Sequence, residues 1–116
     1  MTDNSAPIEF APIALERDTY DNLVKLAGET PSGTEIVGVC LGLAEFLCLK
    51  NQAYGDSALA PLRIFAKDLP TDALIRCRLD DKINRILKGH AAGEDVVIDI
   101  MGYLALIIVA RERQQG

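Results

Sequence analysis

The sequence has little positive charge and only one histidine. Its 116 residues carry 12 Lys and Arg against 17 Asp and Glu, so the formal net charge is −5 at pH 7. Because nucleic-acid binding depends on a basic surface that neutralises phosphates, this balance argues against a general nucleic-acid-binding protein. It leaves open the binding of a small anion through a metal ion or a local group of basic side chains.

Several common site motifs are also absent. The sequence has no P-loop, no GxGxxG and no zinc-ligand spacing, and the single histidine, His90, lies in a Gly/Ala turn where we expect it to be exposed. Cys40, Cys48 and Cys77 show no CxxC spacing and lie in apolar stretches. An odd number of such cysteines predicts reduced, buried thiols in the cytoplasm.

No membrane or export segment is predicted. The N-terminus lacks the basic and apolar regions of a signal peptide. The longest apolar run, Tyr103–Ala110, is far shorter than the roughly 20 residues that a membrane span needs. We therefore expect a soluble cytoplasmic protein with no membrane partner.

The pattern of apolar residues predicts an all-α fold. No segment alternates with the period of a strand, and the length suits one domain, so we expect a bundle of about four main helices over 17–116 after an extended arm over 1–16. The predicted helices cover 17–27, 34–50, 71–88 and 94–113, with caps at Asp18, Thr34 and Thr71 and one possible helical turn at 58–66. The fourth helix is too apolar for one small chain to cover, which predicts a homo-oligomer, a dimer or tetramer, through helix four or helix two.

Two carboxylates stand one turn apart on this apolar fourth helix. Asp95 and Asp99 share a face with Gly102 and Leu106 at 100° per residue. Like charges at this spacing repel, and an unpaired buried carboxylate is costly, so the pair needs water, basic side chains or a divalent cation. Alternatively, both acids lie in the solvated first turn, where they favour the helix dipole.

Glu45 raises the same question on the second helix. It is the only charged residue between Ile36 and Leu49, and it shares a face with Gly38 and Gly42. Each glycine costs about 1 kcal/mol in a helix relative to alanine, which indicates that a ligand or another helix comes close. Alternatively, the glycines seat a neighbouring helix and Glu45 pairs with an arginine.

The third helix carries an apolar stripe beside a charged stripe. The apolar stripe is Ile75, Leu79, Ile83 and Ile86; the charged stripe is Arg78, Asp81, Lys82 and Arg85. A mixed charged stripe is usually a solvated face with weak ion pairs. If the acids of the three helices converge, their oxygens suit Mg²⁺ or Mn²⁺, and the neighbouring cations suit the phosphates of a polyphosphate.

Three motifs in this order resemble those of the nucleotide-modification-associated, MazG-like proteins, an all-α NTP pyrophosphohydrolase group common in phages. The resemblance covers roughly residues 35–110. The matching motifs are K-x-x-x-Y-G at Lys50, Tyr54 and Gly55; R-x-x-D-K-x-x-R at Arg78, Asp81, Lys82 and Arg85; and D-x-x-x-Y at Asp99 and Tyr103.

The resemblance implies a helical bundle that binds a nucleotide polyphosphate through Mg²⁺ and, in catalytic members, cleaves (d)NTP to (d)NMP and pyrophosphate. The metal would polarise the α-phosphate and help to generate the attacking hydroxide. The implied metal ligands are Glu45, Asp81, Asp95 and Asp99, with Glu45 and Asp81 in catalytic roles. The implied nucleotide-binding residues are Lys50, Tyr54, Arg78, Lys82, Arg85 and Tyr103. Tyr54 would stack on or bond to the nucleoside; alternatively, it only packs the loop.

One departure from the family pattern favours binding without hydrolysis. MazG-type enzymes carry an E-E-x-x-E cluster on the helix that corresponds to helix two, whereas Glu45 stands alone here and Glu35 lies nearly three turns away. The retained R-x-x-D-K-x-x-R motif, together with Asp95 and Asp99, favours hydrolysis. Three hypotheses therefore stand: first a Mg²⁺-dependent nucleotide pyrophosphohydrolase, then a non-catalytic module that holds a nucleotide or a nucleotide-derived signal, and last a helical oligomer whose charges are only structural.

Overall fold

The structure, a computed structural model that describes residues 6–115, is all-helical. Those residues form four helices and no strand: α1 (Arg17–Ala27), α2 (Gly33–Ala53), α3 (Thr71–Leu87) and α4 (Val96–Gln115). The all-α class is confirmed, and the helix ends differ from the predicted ones by at most three residues, at the end of α2 (50 against 53). No helix forms over 58–66, where hydrogen-bonded turns cover 54–60 instead.

The chain divides into two compact units, Met1–Val39 and Cys40–Gly116, with the boundary inside α2. In the first unit, residues 1–5 of the predicted arm lie outside the described residues, and 6–15 form neither helix nor strand. Glu16 caps α1, and its backbone N–H donates to the Thr19 hydroxyl at 3.2 Å. The predicted cap, Asp18, was wrong: it lies in the first turn, where its charge favours the helix dipole.

The turn between α1 and α2 depends on a glycine at the first position of α2. A Cβ atom on Gly33 would overlap the backbone carbonyl of Ala27, the last residue of α1. Because the obstacle is backbone, it cannot move aside as a side chain would. Glycine therefore allows the end of α1 to approach the start of α2.

Helix α2 is apolar on nearly every side, yet none of its residues is buried. Ile36, Val39 and Leu49 are each more than half exposed. A Cβ atom on Gly38 or Gly42 would meet nothing within 4 Å in the described chain, so the close approach predicted at these glycines is not made within one chain. None of the helices described combines the length and apolarity needed to cross a bilayer.

The core of the second unit lies between α3 and α4, which pack against each other. Ile75 of α3 meets Ile107 and Ala110 of α4 in this core. Leu59, Leu79, Tyr103 and Leu106 pack around it, partly buried. Ile75 is only 1% exposed, and burying one such side chain contributes about 1.5–3 kcal/mol.

The buried face of α3 is rotated from the predicted stripe. Ile75 and Leu79 pack in or against the core as predicted, but Ile83 is 40% exposed and Lys82 is buried instead. At 100° per residue, Lys82 lies about 20° from Ile75 around the helix, whereas Ile83 lies about 80° away. Because α3 points Ile75 inward, Lys82 is buried as well, although it is charged.

Polar contacts at both ends show that α3 and α4 are antiparallel. Near the start of α3, the Gln114 amide of α4 donates to the Asp72 carboxylate at 3.0 Å. This hydrogen bond, with a smaller contribution from Arg76, holds the pKa of Asp72 below its ordinary value. Near the other end, Arg85 donates to Glu94 at 3.2 Å, just before α4 begins. These contacts fix the register in which the two helices pack.

Candidate functional site

One cavity of about 360 Å³ opens in the second unit, a volume within the range of small-molecule sites. The last turns of α2, the loop after it, α3 and α4 all contribute to its wall. Phe46, Leu47, Ile98 and Leu106 supply apolar surface, and Gly102 lies between them. A Cβ atom on Gly102 would come within 2.9 Å of the Leu47 side chain, so the glycine lets the α2 side chain lie close to α4.

The cavity brings together five of the residues predicted for the site. Lys50, Tyr54, Arg78, Asp99 and Tyr103 all line it. They come from α2, the loop that follows it, α3 and α4, so residues separated by up to 53 positions meet at one wall (50 to 103). Two cationic groups and two phenol rings therefore face the same space.

Three of the predicted metal ligands do not line this cavity. Glu45 is exposed. At 100° per residue, it lies roughly 170° around α2 from the mean direction of the α2 residues that line the cavity. Asp81 is exposed and lies about 120° around α3 from the buried Ile75. Asp95 precedes α4, and its carboxylate accepts the Ile98 backbone N–H at 3.2 Å, so it caps the helix.

The fourth carboxylate, Asp99, is paired with the buried Lys82. The Lys82 ammonium lies 2.7 Å from Asp99 and also contacts Glu94, which Arg85 approaches from the surface at 3.2 Å. Hydrogen bonds to Asp99 first and then to Glu94 raise the pKa of Lys82 above its ordinary value. The hydrogen bond from Lys82, aided by Arg85, lowers the pKa of Glu94. Lys82 and Arg85 thus serve an ion-pair network and do not line the cavity.

A metal ion would find little support from one chain. Among residues 6–115, no three His, Cys, Asp or Glu side chains lie close enough to hold one. Mg²⁺ can use a single carboxylate with water and ligand phosphates, and Asp99 is the carboxylate that lines the cavity. The metal would then have to compete with Lys82 for that carboxylate, so we derive no step through it.

The basic and aromatic groups at the cavity are held in different ways. The Lys50 ammonium lies 5.0 Å from the centre of the Phe46 ring, a cation–π contact that keeps the lysine near the cavity wall. Tyr54 is 66% exposed, so its side chain is accessible to a ligand. Arg78 makes no ion pair within the described residues, which leaves its guanidinium available to an anion.

Comparison of the chain with protein-family models, with curated proteins and with solved structures returns no match.

Sequence reasoning missed Asn51, which also lines the cavity. Its side-chain nitrogen donates to the Asp56 carboxylate at 2.9 Å, and its backbone carbonyl accepts the Asp56 N–H at 3.0 Å. Gly55 and Asp56 both take positive φ, 61° and 64°, so the chain turns sharply here. The Gly-Asp pair directly after a helix was the available signal, because such residues are favoured where φ is positive.

The cysteines take no part in the cavity. Cys40, Cys48 and Cys77 are free thiols and all are exposed, so the prediction of buried thiols was wrong. They lie on the apolar stretches of α2 and on α3, and those stretches are not covered at these positions.

Proposed function

We propose that this protein binds a nucleotide, or an anion derived from one, in the cavity of its second unit. The observation that supports this most strongly is the meeting of Lys50 and Arg78 with Tyr54 and Tyr103 around one space. Cations bind phosphate oxygens, and phenol rings stack on bases or bond to sugars. The resemblance to MazG-like proteins adds to this proposal, because the same residues belong to the matching motifs.

The charge around the cavity supports binding that does not need a metal. The protein is acidic overall, but at the cavity Lys82 balances Asp99, which leaves Lys50 and Arg78 as a local positive excess. An anion can enter without meeting an unbalanced carboxylate. This favours the non-catalytic module, such as a phage protein that sequesters a nucleotide signal.

The second candidate is a Mg²⁺-dependent pyrophosphohydrolase that converts (d)NTP to (d)NMP and pyrophosphate. The position of Asp99 at the wall of the same cavity favours it, since a ligand phosphate and Asp99 could share a metal. Fewer acids than in the MazG-type cluster argue against it. The two candidates differ in whether Mg²⁺ and Asp99 are required.

Isothermal titration with a panel of ribo- and deoxynucleoside mono-, di- and triphosphates, in EDTA or in Mg²⁺, tests both candidates when pyrophosphate release is followed in parallel. We expect binding in EDTA that Arg78→Ala weakens at least ten-fold. Arg76→Ala, which removes the same charge from the same helix away from the cavity, should change affinity less than two-fold. Asp99→Asn should preserve metal-free binding with unchanged helix content.

Other outcomes separate the candidates. Pyrophosphate release that requires Mg²⁺ and disappears in Asp99→Asn would establish the hydrolase. Equal loss of affinity in Arg78→Ala and Arg76→Ala would place the ligand elsewhere. No binding by any nucleotide in the panel would overturn the proposal, and the structural helical oligomer would then describe the protein better.

We also propose that the protein acts as a homo-oligomer through α2. A helix with no buried residue and with Ile36, Val39 and Leu49 exposed leaves apolar surface in water. Packing against a second copy would remove this apolar surface from water. Of the two helices predicted for this role, α4 already buries Ile107 and Ala110 against α3, so α2 is the better candidate.

A further inference from the structure

Asn51 lines the cavity, and its side-chain amide has a fixed orientation. A carboxylate accepts hydrogen bonds and does not donate them, so the amide group that faces Asp56 at 2.9 Å must be the nitrogen. This settles which end of the amide is which on chemical grounds. The carbonyl oxygen is then the end that remains, and it makes no hydrogen bond with any residue that the structure describes.

A backbone hydrogen bond also positions Asp56 beside Asn51. The Asp56 N–H donates to the Asn51 carbonyl at 3.0 Å, so two hydrogen bonds join the same pair of residues. Asp56 takes φ of 64°, a conformation that few residues other than glycine adopt. A left-handed aspartate directly after Gly55 thus brings its carboxylate back to the last turn of α2.

The free oxygen determines what can lie beside Asn51. A phosphate would be repelled by it, because both groups are hydrogen-bond acceptors. Lys50 and Arg78 provide the phosphate contacts, so the base edge of a bound nucleotide is the part that suits Asn51. The matching group on a base is an N–H donor, such as the exocyclic amine of adenine or cytosine.

We propose that Asn51 is a specificity residue of the cavity, whose amide oxygen selects nucleotides that present an exocyclic amine, and that Asp56 is the positioning residue that fixes this amide. The inference rests on the proposed function, because it assigns one end of the cavity to the base. A site built to bond a donor disfavours the analogue that lacks it, since its own acceptor is left unpaired.

The test compares adenosine 5′-monophosphate with purine riboside 5′-monophosphate, which has the same ring and charge but no amine. Titration in EDTA should give wild-type protein at least ten-fold weaker affinity for the analogue. Asp56→Asn should reduce this ratio to below three-fold while affinity for the analogue stays unchanged. Asparagine tolerates positive φ, but it can also donate, so it no longer dictates the orientation of the Asn51 amide.

Two further variants keep the test decisive. Asp56→Gly suits positive φ and removes the carboxylate, so it should lower the ratio as Asp56→Asn does. If one of the two variants folds poorly, the other still tests the role of Asp56. Asp68→Asn makes the same chemical change on an exposed loop away from the cavity and should keep the wild-type ratio. Helix content by circular dichroism confirms that each variant is folded.

The outcomes separate this inference from the proposed function. Equal affinity of wild-type protein for the two nucleotides would overturn the role of Asn51 and leave nucleotide binding established. A ratio that stays at ten-fold in both Asp56 variants would overturn the positioning role of Asp56. Failure of both nucleotides, and of every other nucleotide in the panel, to bind would overturn the proposed function itself.

Discussion

Helix α2 is more apolar than α3, yet it buries fewer of its residues. Between Ile36 and Leu49, α2 carries a single charged residue and buries nothing, whereas α3 carries charges along its length and buries Ile75 completely. The two helices differ in the surface that each one packs against. Helix α3 meets α4 along one face, and polar contacts fix the pair at both ends, while the part of α2 that belongs to the second unit approaches α4 through the Leu47 side chain at the cavity wall.

This comparison teaches that apolar composition does not by itself create a core. A helix that is apolar all round has no preferred face to bury. The apolar stripe on α3 does select one face, and Lys82 is buried because it lies on that face. Burial also needs a second surface of matching period. In this chain α4 provides that surface for α3, whereas no residue of α2 is buried within residues 6–115.

The largest effect that we expect comes from removing the buried side chain of α3. Ile75→Ala should lower the free energy of unfolding by about 2–5 kcal/mol, because it leaves a cavity between α3 and α4. Urea denaturation followed by circular dichroism measures this. Ile83→Ala, which removes the same atoms from an exposed position on the same helix, should cost less than about 1 kcal/mol. Equal costs would mean that α3 does not bury the face described here.

A smaller effect should follow from removing the buried charge of α3, the Lys82 ammonium. Lys82→Met leaves Asp99 without its partner and Glu94 with Arg85 alone, so it should destabilise the protein at pH 7. Arg85→Met, which removes the exposed partner of Glu94, should cost less because solvent screens that pair.

The pH dependence of this effect has a definite sign. Folding lowers the pKa of Glu94, so its contribution is present above its ordinary value of 4.5 and is lost as the pH falls through the lower folded value. Folding raises the pKa of Lys82, so its contribution is present below 10.5 and is lost as the pH rises through the higher folded value. The difference in unfolding free energy between wild type and Lys82→Met should therefore shrink as the pH falls from 4.5 through the lower folded pKa of Glu94. A difference that stays constant throughout the acid titration would contradict the ion-pair network.

The smallest effect on a single chain should come from α2, where it tests the oligomer. Leu49→Glu changes an exposed residue and should alter the stability of an isolated chain by no more than about 0.5 kcal/mol. If α2 packs on a second copy, the same change buries a charge and should dissociate the oligomer in sedimentation velocity. Leu87→Glu, at an exposed position near the end of α3, is the matched control and should leave the assembly intact. A wild-type protein that sediments as a monomer would refute the oligomer outright.

The helices were predictable because their signals are local. Their periodicity and glycine turns depend on neighbouring residues in the sequence, and the boundaries differ from those predicted by no more than three residues. The predicted caps were wrong, because Asp18, Thr34 and Thr71 all lie within the helices. Which face turns inward was predicted less well. The stripe chosen on α3 included Ile83 where the structure buries Lys82, because both lie within reach of one helical face and only the direction of α4 decides between them.

The candidate site was half predictable for a similar reason. Motif order pointed to Lys50, Tyr54, Arg78, Asp99 and Tyr103, which line the cavity together. Helical spacing cannot tell how helices from different parts of the chain are rotated towards each other. The predicted group of four carboxylates therefore did not form.

Taken alone, the sequence determined the class of the fold, the extent of the four helices and the residue types from which a phosphate and a base can be bound. These depend on interactions within a few turns of the chain. Only the tertiary structure decided that Lys82 lies buried against Asp99, that Glu45 faces away from the cavity, and that Asp56 fixes the amide of Asn51. Those outcomes depend on how helices and loops are oriented in space, and that orientation is set by packing and by left-handed backbone geometry, which no local pattern specifies.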